Sequence, residues 1–479
     1  MTTRRSHLVR CSLFTSVALV AALTAIGGAS ASTKSLSPEG GGVPTTKTDP
    51  SHFKNCQEPP ADSLWETAKA DEVGLDAKVL QEAADYYTHH LQATMRVYRF
   101  GCLVQISALD PIHERLLTHM YSTTKPISTL VLGHAVMDGK ISVDDTVGKY
   151  FPNMGDEAHR AITVKQLLQH TSGILKNWPT DINTEIPDNV KHFFNLPIVH
   201  PPGTWYEYSQ ISVNMMNAVT EKAVGQDFQT YAQRVLFDKV GILPGTWVWK
   251  KDRTGHTYGF SELYMRPIDM MRIGQLIMNG GVYRGERVVT ESWIKDMGTG
   301  TAQNPGFGYN TWVNAAPWYW TIAINNRQKR DRPLIASAPH DMTYTWGWRG
   351  RHIFTMPNLG LTVTTTPLAL MVPLPGQIFD GYNGHDPDYD HVDAHQIAQG
   401  EQREGYHDFF RILMRAVKDQ TVGDPGPWDQ PDDTTFDSSM FVGHNQTTLD
   451  EADPTNTEYG GWSWFAGVPG AYAKAFATK

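Results

Sequence analysis

From Ser122 to Met137 the chain carries a single charged side chain, Lys125, while Ile127, Leu130, Val131, Leu132 and Val136 point to every side of the helix their spacing predicts. A helix that is apolar all round has no face to offer water, so it belongs in the middle of a domain with other elements packed on all sides. That demands a large core. A chain of 479 residues with 40% hydrophobic and 19% charged residues can supply one. Its 41 basic and 50 acidic residues leave a net charge of −9, without the basic surplus that a nucleic-acid surface needs.

The two ends read differently from this middle. Arg4, Arg5 and Arg10 precede an apolar run from Leu13 to Ile26, and Ala29-Ser30-Ala31 supplies small residues for cleavage, so residues 1–31 read as a signal peptide. A run of about fourteen apolar residues is shorter than the roughly 20 that span a bilayer, and no stable membrane anchor is expected after cleavage. Thr3-Arg4-Arg5 faintly matches a twin-arginine signal, but His7 stands where an apolar residue is preferred, and the export route stays open. Residues 32–60, rich in Ser, Thr, Gly, Pro and Lys, read as a flexible leader. Cys11 leaves with the signal; Cys56 and Cys102 remain, either as one disulfide in an oxidising compartment or as two buried thiols.

Residues 61–420 form the expected folded domain. Helical spacing appears over Asp76–Tyr87, Val164–His170, Ser212–Val224, Phe228–Phe237, Pro267–Met278 and Gly405–Lys418. Strand-like runs occur at Met95–Ile106, with Phe100-Gly101 as a turn, and at Phe307–Val313, His352–Met356 and Leu361–Thr366. Strands, a helical block, strands and a closing helix make an α+β plan, a sheet completed by both ends of the domain. The Asp- and His-rich insertion 380–395 lacks EF-hand spacing and reads as a solvated loop. After residue 420, seven Asp and two Glu face two Lys, so most of the net charge sits in an acidic extension, 421–479. Asn445-Gln-Thr447 in that extension is a glycosylation sequon.

The chemistry concentrates at Ser122. In Tyr121-Ser122-Thr123-Thr124-Lys125-Pro126, a helix starting near Ser122 places Lys125 one turn on, on the same face, with its amine in reach of the serine hydroxyl. Pro126 fits that register, because an amide in the first helical turn has no intrahelical acceptor to lose. Burial lowers a lysine's pKa and makes it a base near neutral pH. Ser-x-x-Lys also occurs at Ser51 and Ser292, but neither copy opens a buried helix.

These residues resemble the penicillin-recognising serine hydrolases, which include serine β-lactamases, D,D-peptidases, related esterases and 6-aminohexanoate-dimer hydrolases. Ser122-Thr-Thr-Lys-Pro is similar to the family's first motif, Ile162 to Gly173 to its helix and turn, and Pro202-Gly-Thr-Trp-Tyr-Glu-Tyr-Ser-Gln210 to the segment carrying Tyr-x-Asn. Tyr258 to Gly274 and Phe307-Gly-Tyr-Asn-Thr-Trp312 match further landmarks in the same order. The resemblance implies a β-lactamase/transpeptidase-like fold, an antiparallel sheet flanked by helices plus an all-helical subdomain. It also implies a cofactor-free, metal-free mechanism: Ser122 attacks a carbonyl, Lys125 takes its proton, and Tyr208 relays a proton to the leaving group.

Two departures bear on the substrate. Gln210 stands where the second motif has Asn, and Thr345-Trp346-Gly347-Trp348-Arg349-Gly350 stands where penicillin-binding proteins carry Lys-Thr-Gly. The resemblance places the oxyanion hole at the backbone N–H groups of Ser122 and Trp348, with Gly347 permitting close approach. Trp346 in the lysine's place favours an uncharged or amphipathic acyl group, or is simple rim packing; Arg349 or Arg351 could still supply a cation. His170 reads as a structural corner, and Asp269 with Arg272 as an ion pair. The expectation is an exported serine hydrolase acting on a small ester, amide or peptide-like substrate, with a D,D-carboxypeptidase or β-lactamase as the nearest alternative. A catalytically inactive binding protein on the same fold is the alternative of another class. The oligomeric state is open.

Overall fold

The computed structural model describes residues 41–91, 93–108, 110, 114–176, 184, 186–321, 329–347, 350–367 and 403–427. The predicted signal peptide, Trp348, Arg349, the 380–395 insertion and the sequon lie outside the described residues, as does the acidic extension beyond residue 427.

The chain enters the domain through α1 (Ala77–His90), capped by Asp76, whose carboxylate accepts the N–H groups of Lys78 and Val79. The hairpin β1 (Ala93–Arg99) and β2 (Cys102–Ile106) follows, turning at Phe100-Gly101 with both residues at positive φ. Two-residue β3 (Thr118–His119) leads into a 3₁₀ turn over Tyr121–Thr123 and then into α2 (Thr124–Met137). Helices dominate from there to α3 (Gln210–Val224) and beyond. Next come β4 (Trp247–Trp249), β5 (Leu263–Met265) and α4 (Pro267–Met278), with proline at the first helical position. Strands β6 (Trp312–Val313), β7 (Thr343–Gly347), β8 (Arg351–Met356) and β9 (Leu361–Pro367) complete the sheet, and α5 (Arg403–Arg415) closes the described chain.

The main sheet has the order β2-β1-β9-β8-β7-β6 and is antiparallel throughout, so the N-terminal hairpin pairs with the last strand, Val97 opposite Val363. Alternation along β8 sends its side chains to two different cores. Ile353 joins the helical cluster with Ile127, Leu130 and Val131, whereas Phe354 joins Tyr87, Phe409 and Phe410 beneath α1 and α5. On the helical side, α4 passes so close that a Cβ at Gly274 would lie 2.9 Å from the Ile353 Cγ2. A second small sheet, β3-β5-β4, joins the segment before Ser122 to the segment before α4.

The apolar helix is where its composition requires. From Thr124 through Gly133 every residue of α2 is buried. Gly133 is required by proximity, because an added Cβ would meet the Trp293 indole at 2.2 Å, and that indole donates to the Thr129 carbonyl.

Two expectations change. Residues 41–60, read from composition as a flexible leader, run along the domain. Val43 is buried, its N–H donates to the Ala338 carbonyl at 2.9 Å, and the N–H of Cys56 donates to the Phe100 carbonyl at 3.0 Å. Backbone hydrogen bonds hold this stretch, and they leave no trace in side-chain periodicity. The run Phe307–Val313 is mostly turn: only Trp312 and Val313 pair in the sheet, and Asn310 takes a left-handed φ of 51°. Cys56 and Cys102 form a disulfide that ties the entering segment to the hairpin. Asp269 does pair with Arg272, at 3.4 Å, and also with Arg266, at 2.6 Å.

Candidate active site

Ser122 is the middle residue of the 3₁₀ turn that runs directly into α2, and Tyr121 ahead of it adopts φ 45°, a left-handed conformation costly for a residue with a Cβ. Neighbouring contacts hold that turn. The Thr123 hydroxyl donates to the Arg351 carbonyl at 2.7 Å and lies 3.1 Å from the Thr345 hydroxyl, so the nucleophile's turn is fastened to β7 and β8. Gly347 at the end of β7 completes the fit, since a Cβ there would lie 2.5 Å from the Met120 carbonyl oxygen.

The Lys125 Nζ lies 2.9 Å from the Ser122 Oγ and donates to the Phe260 carbonyl at 2.9 Å. It is 1% exposed, and burial lowers its pKa well below the usual lysine value. Tyr208 packs its ring 4.7 Å from the same amine. Burial raises the Tyr208 phenol's pKa, while a hydrogen bond with Ser122 pulls the other way. The phenol thus stays protonated through neutral pH, and Ser122, Lys125 and Tyr208 meet at one point although Tyr208 comes from the loop before α3.

His170 explains how that loop is held. Its Nδ1 accepts the N–H of Ser209 at 3.0 Å and its Nε2 lies 2.7 Å from the Asn310 Oδ1, which fixes a neutral tautomer with the proton on Nε2. Burial lowers its pKa to about 3. Its ring therefore positions Tyr208's neighbour, and both of its nitrogens are spent away from Ser122.

The remaining predicted residues divide. Gln210 is the first residue of α3, 1% exposed, and its Oε1 finds no hydrogen-bond partner among the described residues. Trp346 is buried, 5.7 Å from the Trp312 ring, which in turn stacks on Tyr208 at 6.0 Å; it belongs to an aromatic wall behind the phenol, not to a rim. Arg351 is also buried. Its Nε donates to the His119 carbonyl at 2.8 Å and its guanidinium lies over the Tyr121 ring, so it supports the turn instead of replacing a substrate-binding lysine. Sequence reading missed Phe260, whose contribution is a backbone carbonyl, and Asn310, which stood inside a recognised segment without a role. Among the described residues no group of three or more His, Cys, Asp or Glu is placed to hold a metal.

A serine hydroxyl, a desolvated amine and a protonated phenol in mutual reach make the constellation of a serine hydrolase that works without histidine. The chain belongs to the Beta-lactamase family, whose profile matches residues 90–365. It is 24% identical over 148 residues to a β-lactamase of Providencia stuartii and 24% identical over 153 residues to the esterase EstB of Burkholderia gladioli. The first match covers 30% of this chain and the second 28%; each covers 38% of the relative, well short of its full length. Among solved structures, a candidate 6-aminohexanoate-dimer hydrolase from Bacillus anthracis superposes with a TM-score of 0.50 at 14% identity, over 78% of this chain and 92% of that one. At that identity the likeness speaks for the fold.

Proposed function

We propose that the protein hydrolyses a small ester or amide through an acyl-enzyme on Ser122. The observation that carries this is the 2.9 Å contact between the Ser122 Oγ and the Nζ of Lys125, whose pKa burial lowers well below the usual lysine value. The amine takes the hydroxyl proton as Oγ bonds to the substrate carbonyl carbon, and the Ser122 N–H faces the oxygen that becomes negative. When the tetrahedral intermediate collapses, the Tyr208 phenol gives a proton to the departing alcohol or amine and recovers one from Lys125. A water then attacks the ester of Ser122 by the same route reversed, releasing the acid. The burial of Trp346 and the commitment of Arg351 to His119 and Tyr121 support an acyl group without a carboxylate beside the bond cleaved.

A serine-reactive fluorophosphonate tests the nucleophile: it labels the wild type, and equal labelling of Ser122→Ala overturns the assignment. The β-lactamases among the relatives motivate a second reading, in which a β-lactam acylates Ser122. Covalent labelling by a fluorescent penicillin would move the assignment to that branch.

We further propose export with cleavage after Ala31. The Arg-flanked apolar segment supports it, as does the Cys56–Cys102 disulfide, a bond that persists in oxidising compartments. An N-terminal sequence beginning at Ser32 in protein recovered outside the cytoplasm is the expected result, and a retained Met1 would refute it.

A further inference from the structure

Two segments meet behind Lys125: β3, which runs into the nucleophile's turn, and the stretch from Tyr258 to β5, which carries the Phe260 carbonyl. The backbone joins them where the Met120 N–H donates to the Leu263 carbonyl at 2.8 Å. One side chain does the rest. The His119 Nε2 accepts the N–H of Glu262 at 3.2 Å and lies 3.0 Å from the Ser261 hydroxyl, so this imidazole fixes the two residues directly after Phe260.

The ring has little freedom to do anything else. It stacks on Tyr264 at 4.5 Å and 12° and packs, tilted, against Tyr121 at 3.8 Å and 32°. Each tyrosine carries a cation over its ring: Arg351 lies 4.9 Å from the Tyr121 ring centre and Lys250 lies 5.3 Å from that of Tyr264. Glu262, whose backbone takes a left-handed φ of 69°, bonds Lys250 through Oε2 at 2.8 Å and places Oε1 3.3 Å from the imidazole. Burial lowers the His119 pKa, Glu262 opposes it, and Arg351 and Lys250 reinforce it. The neutral ring is the one that fits, because an Nε2 that accepts a backbone N–H cannot also carry a proton.

We propose that His119 is a positioning residue for Lys125: through its unprotonated Nε2 it holds the left-handed turn at Glu262, and so keeps the Phe260 carbonyl where it receives the lysine amine. The inference rests on the reading of Ser122 and Lys125 as nucleophile and base. A displaced carbonyl lets the amine swing from the serine hydroxyl, which slows acylation without altering the surface that meets substrate.

The experiment compares His119→Phe, which keeps an aromatic ring in the stack but removes the acceptor, with His119→Gln, whose amide oxygen reaches the place of Nε2. Hydrolysis of p-nitrophenyl acetate and fluorophosphonate labelling are measured on the mature protein, with Ser122→Ala alongside and melting temperatures recorded. The expected result is a fall in kcat of about tenfold or more for His119→Phe at little changed KM, with most of that loss recovered in His119→Gln. Wild-type kcat in His119→Phe overturns the inference. So does an equal loss in both variants tracking a lowered melting temperature, which would make the ring structural only. If Ser122→Ala still reacts, the reading of the site itself is wrong and the inference falls with it; if Ser122→Ala is dead while His119→Phe is unimpaired, the inference alone fails.

Discussion

The Lys125 Nζ divides its contacts between the Ser122 hydroxyl and the Phe260 carbonyl, both at 2.9 Å, and meets no carboxylate among the described residues. For an amine buried without a counter-ion, the cost of desolvating its charge lowers the pKa well below the usual lysine value. This arrangement is the opposite of a structural ion pair, in which the partner's charge would hold the proton on nitrogen.

The pH dependence of acylation follows. The base works unprotonated, so the rate rises with pH through the lysine's folded pKa and then levels. Because that pKa is depressed, the plateau is reached well below 10.5, the ordinary lysine value. A rate that still climbs toward pH 10 would contradict a desolvated lysine base. Lys125→Met, which keeps the length and removes the amine, lowers kcat by about 10²–10⁴. Its melting temperature is unchanged or higher, since no buried amine remains to be accommodated.

Gly347 is a test of how tightly β7 must approach the nucleophile's turn. In Gly347→Ala the new methyl meets the Met120 carbonyl oxygen at 2.5 Å and the Arg351 carbonyl at 2.8 Å, both backbone atoms that cannot rotate away. The strand must shift from Ser122, and kcat/KM drops by about tenfold or more. The loss of stability is of the ordinary overpacking size, about 1–3 kcal/mol. Near wild-type kinetics in this variant would show that the approach is incidental.

The disulfide anchors the entering segment. With 46 positions between Cys56 and Cys102, breaking it restores conformational freedom to the unfolded chain and costs about 2–4 kcal/mol. Thermal unfolding of the double variant Cys56→Ser/Cys102→Ser measures the loss. Activity at temperatures below the transition is retained, because the bond lies at the far end of the β1–β2 hairpin and contacts none of the catalytic side chains.

Acid destabilisation has a definite source. His170 and His352 are held neutral with pKa values brought down by burial to about 3, and His192 likewise to about 4. Each is deprotonated in both states well above pH 6.5, so its contribution is intact there. Below that the unfolded chain takes up protons that the folded chain refuses, and stability falls with pH until the folded pKa is reached. Three such groups together give a slope of at most about 4 kcal/mol per pH unit near pH 5, and less toward pH 6 and pH 4. A melting temperature flat from pH 7 to 4 would contradict this.

The legible part of the site was the part written in local spacing. Ser122 and Lys125 lie one turn apart, and the burial of Lys125 follows from the apolar residues after it, so both were named from one short stretch of sequence. Tyr208 came from resemblance between segments, since nothing local to Pro202–Gln210 says that its phenol will face Lys125. His119, Phe260 and Asn310 carried no signal of that kind. One acts through a backbone carbonyl, and the other two act through partners more than a hundred positions away, Glu262 for His119 and His170 for Asn310.

The same division runs through the fold. By itself the sequence determined the central helix, the hairpin, the closing strands with α5, and a serine one turn from a lysine, because each of these depends on periodicity or spacing within a few residues. Tertiary structure alone decided that residues 41–60 would be held along the domain, that Trp346 would turn into an aromatic wall, and that Arg351 would support Tyr121 instead of facing a ligand. Those outcomes depend on which backbone groups and rings are brought together by the sheet order. Pairing the first hairpin with the last strand is a long-range choice that no local window of residues contains.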